Sequence, residues 1–207
     1  MGILLRFSRA VDWFNERLGW LANICVLLSC LVSAINAMIR YAFDNSSNAW
    51  LELQWYMFAI VVMFGASYTL QKNEHVRVDV VYMGLSDRKK IWVDILGTFI
   101  FLLPACTLLA WLAWPFFMQS VAGLPSLKAD TEGFGHWLVA VFKFLTGLSG
   151  DVEMSSNSGG LIRWPAKLLL PLGFALLAVQ GVSEIIKRFA MLSGRIPMDA
   201  HYERPEQ

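Results

Sequence analysis

The sequence predicts an all-α, polytopic membrane protein with four transmembrane helices. Hydrophobic residues make up 57% of its 207 residues and charged residues only 16%, whereas soluble domains carry about 25% charged residues. Apolar runs also reach the ~20 residues that a helix needs to cross the hydrocarbon core of a bilayer. We therefore expect a single membrane domain over residues 1–207. No nucleic-acid partner is expected, because the net charge is only +1.

The first predicted span covers residues 19–39 and follows an amphipathic N-terminal segment. In that segment one helical face carries Phe7, Val11, Phe14 and Leu18, as expected of a helix that lies in the membrane interface. The apolar run is longer than the roughly 7–15 residues of a signal-peptide core. An uncleaved anchor is therefore favoured over a cleaved signal peptide.

Three further spans are predicted at residues 50–71, 91–118 and 164–186. Tryptophans lie near the proposed ends, which is typical of the headgroup level of a bilayer. Pro104 and Pro171 fall inside spans, and membrane helices tolerate proline where neighbouring groups satisfy the freed carbonyls. The three cysteines also lie within apolar runs, which favours a packing role over disulfides or metal binding.

The distribution of lysine and arginine predicts the orientation of the spans. These residues cluster before the first span, between the second and third, and after the fourth. By the positive-inside rule both termini and the 73–90 loop are expected in the cytoplasm.

The 119–163 connection is then expected on the periplasmic side, and it is long, since helix–helix connections usually have about 2–8 residues. A short helix is predicted over residues 136–148, and its apolar face carries Trp137, Val141, Phe144 and Leu148. This helix is expected to lie on the membrane or on a partner. A simple interfacial re-entry without a partner is the alternative. The following stretch, SGDVEMSSNSGG, is expected to be flexible.

The sequence contains no pattern typical of an enzyme. It has no glycine-rich phosphate loop, HExxH motif or nucleophile motif. All three histidines, His75, His136 and His201, lie outside the spans, so they cannot serve as axial ligands of a membrane haem. No cofactor is expected in this chain.

Polar side chains are scarce in the middle of the spans, which argues against a channel or a carrier that works alone. Glu52 lies at the outer end of the second span, whereas Asp94 and Glu184 lie within a turn or two of the cytoplasmic ends of the third and fourth. Structural pairing near the interfaces is the preferred role of these carboxylates. Participation in a transport step is the alternative.

The stretch NEHVRVDVVY, directly after the second span, concentrates charge of both signs. Its polar residues alternate with valines, a pattern that turns one edge to lipid or protein and the other to water. Arg77 is expected to pair with Glu74, Asp79 or Asp94 and so to fix how the second span leads into the third. A metal site at Glu74, His75 and Asp79 would need a further segment. A structural, partner-docking role is preferred, and a solvated loop that only enforces topology is the alternative.

The sequence resembles the small membrane subunit of the tripartite ATP-independent periplasmic (TRAP) transporters, the DctQ-like family. The resemblance is carried by WLELQWYMFAIVVMFGASY, by the adjoining TLQKNEHVRVDVVYMGLSDRKKIWVDILG and by GGLIRWPAKLLLPLGFALLAVQGVSE. In that family an acidic residue and the pattern V-R-V-D follow the second span, as residues 74–79 do here. The resemblance extends over all four spans.

The resemblance implies a subunit of a heteromeric secondary transporter in the bacterial inner membrane. In such a transporter a soluble periplasmic binding protein captures an organic acid, and a larger membrane subunit holds the substrate and sodium sites. The small subunit braces the large one and helps to dock the binding protein. An independent four-helix membrane channel or an assembly factor is the alternative function.

Two groups of residues are predicted to serve these roles. Structural or subunit-interface roles are expected for Glu52, Glu74, His75, Arg77, Asp79, Asp94 and Glu184. Docking of the binding protein is expected to involve Lys128, Asp130, Glu132, Asp151 and Glu153.

Overall fold

A computed structural model of the protein describes residues 2–44, 47–74, 84–123, 139, 141–147 and 152–195. Its long helices are α1 (Gly2–Phe43), α2 (Asn48–Lys72), α3 (Asp87–Gly97), α4 (Leu103–Ser120) and α5 (Trp164–Leu192). A π-helical segment, Thr98–Leu102, joins α3 and α4 into one continuous helix. The four resulting helical units are all long and apolar enough to cross a membrane. The predicted fold class of four membrane-spanning helices is confirmed.

Helix α1 is longer than predicted, because the N-terminal segment and the first span form one unbroken helix of 42 residues. At 1.5 Å per residue it is roughly 63 Å long, about twice the thickness of the hydrocarbon core. The side of this segment that packs on the protein is polar. Phe7 and Phe14 of the predicted apolar face are 44% and 47% exposed, whereas Ser8 and Asn15 are buried. The N-terminal segment therefore turns polar side chains toward the rest of the protein and apolar ones outward.

Helix α5 lies at the centre of the bundle and packs against α1, α2 and α4. Glycines allow two of the closest approaches between helices. A Cβ atom added at Gly19 of α1 would lie 2.7 Å from the ring of Tyr68, and one at Gly181 of α5 would lie 2.7 Å from Leu102 Cδ2. These contacts set the spacing of α1 against α2 and of α5 against the π-helical segment.

The π-helical segment precedes Pro104 and accommodates it. Proline has no N–H, and in a regular α-helix its ring would clash with the carbonyl four residues earlier, here that of Ile100. The helix widens by one residue instead, and the Leu103 N–H donates to the Thr98 carbonyl, five residues back. Such π-helical segments occur mostly as single turns inside α-helices, and they are, like prolines, typical sites of helix kinks.

The connection after α2 begins where the sequence predicts it. Asn73 adopts a left-handed conformation with φ of 61°, and its N–H donates to the Leu70 carbonyl. The Glu74 N–H then donates to the Thr69 carbonyl at 3.1 Å. Both bonds satisfy carbonyls that the end of a helix leaves free.

The described part of the 119–163 connection folds back on the helices. Residues 141–145 are helical, but Phe144 is fully buried and therefore cannot face lipid or a partner. Trp137 and Leu148 lie outside the described residues. The stretch expected to be flexible forms a turn from residue 152 onward. Met154 and Ile162 pair as an antiparallel bridge there, and the Ser155 N–H donates to the Leu161 carbonyl at 2.9 Å.

Candidate functional site

Eight of the ten buried polar residues in the described part of the chain fall into two networks near opposite ends of α5, and Asn36 and Ser120 belong to neither. The Gln180 network lies toward the C-terminal end of α5 and comprises Ser8, Asp12, Asn15, Ser67, Gln180, Ser183, Glu184 and Lys187. The Glu52 network lies at the N-terminal end of α5 and comprises Glu52, Glu153, Ser155, Asn157, Arg163 and Lys167. Between Lys167 and Gln180, α5 carries only apolar residues over 168–179, a length of roughly 18 Å.

Gln180 is fully buried and joins α5 to α1 through both ends of its amide. Its Oε1 accepts a hydrogen bond from Asn15 Nδ2 at 2.6 Å, and its Nε2 donates to Asp12 at 3.1 Å and to Glu184 at 2.8 Å. Asn15 Oδ1 in turn accepts from the Ser67 hydroxyl of α2 at 2.9 Å. Three helices are thereby connected by amide and hydroxyl groups that have partners, which is what a buried polar network needs in order to stabilise a fold.

Two carboxylates of the Gln180 network share one ammonium group. Lys187 Nζ lies 3.1 Å from Asp12 Oδ1 and 2.5 Å from Glu184 Oε1. One turn further out, the hydroxyls of Ser8 and Ser183 form a hydrogen bond of 2.7 Å. Glu184 thus pairs with a lysine one turn further along its own helix. Asp12 belongs to the same pairing, which the sequence did not predict.

A separate ion pair joins α3 to α5. Arg188 pairs with Asp94, and both side chains are nearly buried, at 12% and 13% exposed. Arg188 Nη2 also donates to Asn73 Oδ1 at 3.3 Å. A single guanidinium therefore connects α3 and α5 with the residue at which the chain leaves α2. Removing one partner of such a pair strands a charge away from water.

Glu52 organises the opposite end of the bundle. Its carboxylate is 4% exposed and accepts hydrogen bonds from the Ser155 hydroxyl, from Asn157 Nδ2 at 2.8 Å and from the Leu161 N–H at 2.6 Å. All three donors lie in the turn that precedes α5. The acidic side chain of α2 thus holds this turn, and Tyr56 adds a hydrogen bond to the Ile162 carbonyl at 2.8 Å.

Glu153 pairs with two cations beside Glu52. Lys167 Nζ lies 2.5 Å from one carboxylate oxygen, and the Arg163 guanidinium lies 3.7 Å from the other. Lys167 is 9% exposed, and its ammonium also lies 4.3 Å from the centre of the Phe116 ring. Glu153, predicted as a docking residue, is therefore engaged within this chain.

The structure brings some of the predicted site residues together and leaves others apart. Glu52 and Glu153 belong to one network, Glu184 belongs to the other, and Asp94 lies in the ion pair with Arg188. Glu74 is exposed at the end of α2. The remaining predicted residues, His75, Arg77, Asp79, Lys128, Asp130, Glu132 and Asp151, lie outside the described residues.

The sequence reasoning missed the residues of α1 and α2 in the Gln180 network. A signal for them exists in the spacing of the polar residues. Ser8, Asp12 and Asn15 recur at intervals of four and three, which places them on one face of a helix. The α5 members beginning at Gln180 recur at intervals of three, one and three. Two polar stripes of this kind in neighbouring helices are the expected sign of a buried polar contact.

The arrangement is suited to holding helices together rather than to chemistry. In the described part of the chain, the charged groups of both networks already have partners of opposite charge or hydrogen-bond donors. The apolar length of α5 between the networks offers no chain of polar groups across the bilayer. Such a site favours a rigid membrane scaffold over an ion path.

Comparison with known proteins assigns the family. Neither the search of curated proteins nor the search of solved structures finds a match. The family model described as "Tripartite ATP-independent periplasmic transporters, DctQ component" matches residues 29–191. The matched part contains the Glu52 network and the α5 half of the Gln180 network, and it begins after Ser8, Asp12 and Asn15. This multi-pass membrane chain therefore belongs to the DctQ component family and is the small subunit of a TRAP transporter, not an enzyme.

Proposed function

We propose that this chain is the rigid scaffold of a sodium-driven TRAP transporter for organic acids in the bacterial inner membrane. In this role it braces the large membrane subunit, which holds the substrate and sodium sites, and it helps to seat the periplasmic binding protein. The observation that carries the proposal is the apolar stretch of α5 between two polar networks. Because each network ties α5 to neighbouring helices or to the turn before α5, the helices are expected to move as one unit.

Exposed apolar side chains supply surface for lipid and for the large subunit. Trp111, Leu112 and Phe101 of the third helical unit are 72%, 60% and 74% exposed. In a membrane protein such side chains contact either lipid or another subunit. A channel or carrier that works alone would instead be expected to turn polar groups toward a path between its helices.

Co-purification tests the scaffold proposal. The chain is tagged and expressed with the large subunit and the binding protein encoded beside it, and the membrane complex is isolated in a mild detergent. We expect a stable complex with a membrane protein of many more spans. Purification of the chain alone, or as a self-associated channel that conducts ions in planar bilayers, would contradict the proposal.

The substrate class and ion are tested with the same complex in proteoliposomes. The binding protein is first screened against carboxylates and sulfonates by thermal shift, and a labelled ligand found in this way is used for uptake. We expect uptake that requires an inward sodium gradient. Uptake that persists with potassium replacing sodium would remove the sodium-driven part of the proposal.

The docking part of the proposal rests on residues 126–138 and on the length of the connection. The variant Lys128→Gln/Asp130→Asn/Glu132→Gln removes three charges and leaves the turn at 152–163 intact. We expect the binding-protein concentration for half-maximal uptake to rise, and the difference to shrink at high salt, because charge acts mainly on the encounter rate. Arg9→Gln, an exposed charge near the N-terminus, which is predicted to face the cytoplasm, is the control. An unchanged half-saturation concentration would show that these charges do not dock the binding protein.

A further inference from the structure

A cavity of about 270 Å³ lies beside the Glu52 network. Its walls come from α2, α4 and α5, and the turn before α5 forms its polar edge. Trp55, Phe116 and Leu170 supply the apolar wall, and Arg163 and Lys167 supply the cations. Helices α2 and α4 both pack on α5, and in the described part of the chain neither packs extensively on the other. The cavity therefore sits in a gap between two membrane-spanning helices.

The charges around the cavity are unequally satisfied. Glu52 has three donors, and Lys167 lies 2.5 Å from Glu153. Arg163 is 42% exposed, its distance to Glu153 is 3.7 Å, and its bond to the Ser156 hydroxyl is 3.5 Å long. The Arg163 guanidinium is thus the cation of this group with the weakest engagement, and it retains donors for a further anion.

The apolar wall is exposed on the outside of the bundle, toward one end of the spans. Trp55 is 66% exposed and Phe116 is 45% exposed, and both lie within a few residues of the ends of α2 and α4. Indole and phenyl rings at this level contact the boundary between headgroups and acyl chains. The cavity thus has a guanidinium at its polar edge, with two aromatic rings and a leucine below it. A phospholipid offers matching groups in the same order, a phosphate first and an acyl chain below it.

We propose that this cavity is a specific site for a zwitterionic phospholipid, whose phosphate binds Arg163 and whose acyl chain lies on Trp55, Phe116 and Leu170. Glu52, Arg163 and Lys167 line the cavity, and Glu153, which is not a lining residue, pairs with both cations. These four groups carry no net charge together, so a zwitterionic headgroup leaves the site neutral, whereas an anionic lipid would add a negative charge. The proposal requires only that the chain spans the membrane, and it goes beyond the scaffold function.

Native mass spectrometry of the purified membrane complex tests the site. The sample is delipidated, phosphatidylethanolamine is added, and activation is raised until loosely bound lipid has dissociated. We expect the wild type to retain one phosphatidylethanolamine and Arg163→Gln to retain at least fivefold less, with Arg163→Lys in between. Arg40→Gln, which removes an exposed arginine at the same end of the bundle, is the matched control and should behave as the wild type.

A second variant, Trp55→Ala, tests the site independently of Arg163. If Arg163→Gln lowers the unfolding temperature of the complex, Trp55→Ala replaces it, because that side chain is mostly exposed and its loss removes only lipid contact. Equal retention in the wild type and in these variants would overturn the site. Two results would overturn the assignment to a zwitterionic lipid. One is retention of inorganic phosphate, added in place of lipid, by the wild type but not by Arg163→Gln. The other is stronger retention of phosphatidylglycerol than of phosphatidylethanolamine.

Discussion

Gln180 shows how one uncharged residue can hold three helices. Its amide bonds reach Asn15, Asp12 and Glu184, and Asn15 carries the connection on to Ser67 of α2. An amide is suited to this position because it has a donor and an acceptor on one short side chain. Replacement by an apolar side chain would leave the polar partners in a dry environment, which costs more than the lost bond alone.

The variant Gln180→Leu tests this role, since leucine keeps a similar size and removes both hydrogen-bonding ends. We expect a loss of roughly 1–2 kcal/mol, within the range measured for stranded polar groups and for hydrogen bonds between membrane helices. The measurement is unfolding of the protein in mixed detergent micelles. Ser29→Ala is the control, because the Ser29 hydroxyl bonds only to the Val26 carbonyl of its own helix in the described structure. Equal stability of the two variants would contradict a central role for Gln180.

Glu52 is the corresponding residue at the other end, and Glu52→Gln tests it with little change of shape. A glutamine amide has an NH2 group in place of one carboxylate oxygen. This NH2 group would face either the Leu161 N–H or the donors of Ser155 and Asn157, and it cannot accept from them, so at least one hydrogen bond is lost. We expect faster hydrogen exchange at the Leu161 amide and earlier proteolysis in the 152–163 turn, measured by mass spectrometry. Glu74→Gln, an exposed carboxylate, should leave both unchanged. Protection of the turn at the wild-type level would show that Glu52 does not hold it.

At the scale of whole elements, hydrophobicity predicted the existence of the helices but not which face of α1 points inward. The four spans follow from run length, and α5 begins at Trp164 as predicted. In water, the apolar face of an amphipathic helix must be buried, so its side is readable from the pattern. Beside lipid, apolar side chains such as Phe7 and Phe14 face outward at no cost, and the polar Ser8 and Asn15 are the groups that require protein partners. In the N-terminal half of α1 the hydrophobic pattern therefore marks the outward face, and the polar stripe marks the face that packs on the protein.

Two further features of the elements could not be predicted from local pattern. The fixed turn at 152–163 depends on Glu52, roughly a hundred residues earlier in the chain, so its Ser/Gly-rich composition alone suggested flexibility. The ion pair of Asp94 with Arg188 likewise joins distant helices. Local pattern offered Arg77 as a partner of Asp94, because a sequence shows neighbours along the chain and not neighbours across the bundle.

The close approach of α1 and α2 gives a prediction at this scale. Gly19→Ala places a methyl group against the ring of Tyr68, whereas Gly65→Ala in α2 meets no atom within 4 Å. Overpacking costs about 1–3 kcal/mol, and alanine favours helix formation over glycine by about 1 kcal/mol at both sites. We expect Gly19→Ala to be less stable than Gly65→Ala by about 1–3 kcal/mol in detergent unfolding. Identical unfolding curves would mean that the two helices can separate at Gly19 without cost.

For the whole molecule, the charged groups with the least exposure in the described structure lie near the ends of the bundle and pair with one another. Asp94 and Glu184 pair with Arg188 and Lys187 on the same helix, α5, and the apolar stretch of α5 separates them from the Glu52 network. This distribution supports the proposed role of a brace, in which the polar groups fix the positions of the helices. It supports assembly roles for these carboxylates rather than roles in ion coupling.

The variants Asp94→Asn and Glu184→Gln separate these two roles. We expect both to lower the yield of the complex with the large subunit, because each leaves a basic partner less well paired. The ratio of sodium to substrate transported by the complexes that do form should be unchanged. The ratio is measured in proteoliposomes from the way in which the maximal accumulation of substrate depends on the sodium gradient. A changed ratio in an intact complex would place these carboxylates in the transport step.

The most direct test of the central claim compares sodium-driven uptake in three sets of proteoliposomes. They contain this chain alone, the large subunit alone, or both, each with the binding protein and the ligand that thermal shift identifies for it. A scaffold that braces a separate transport subunit predicts uptake only when both membrane chains are present, and no flux of sodium or ligand through this chain alone. Flux of either through proteoliposomes that contain only this chain would contradict the account.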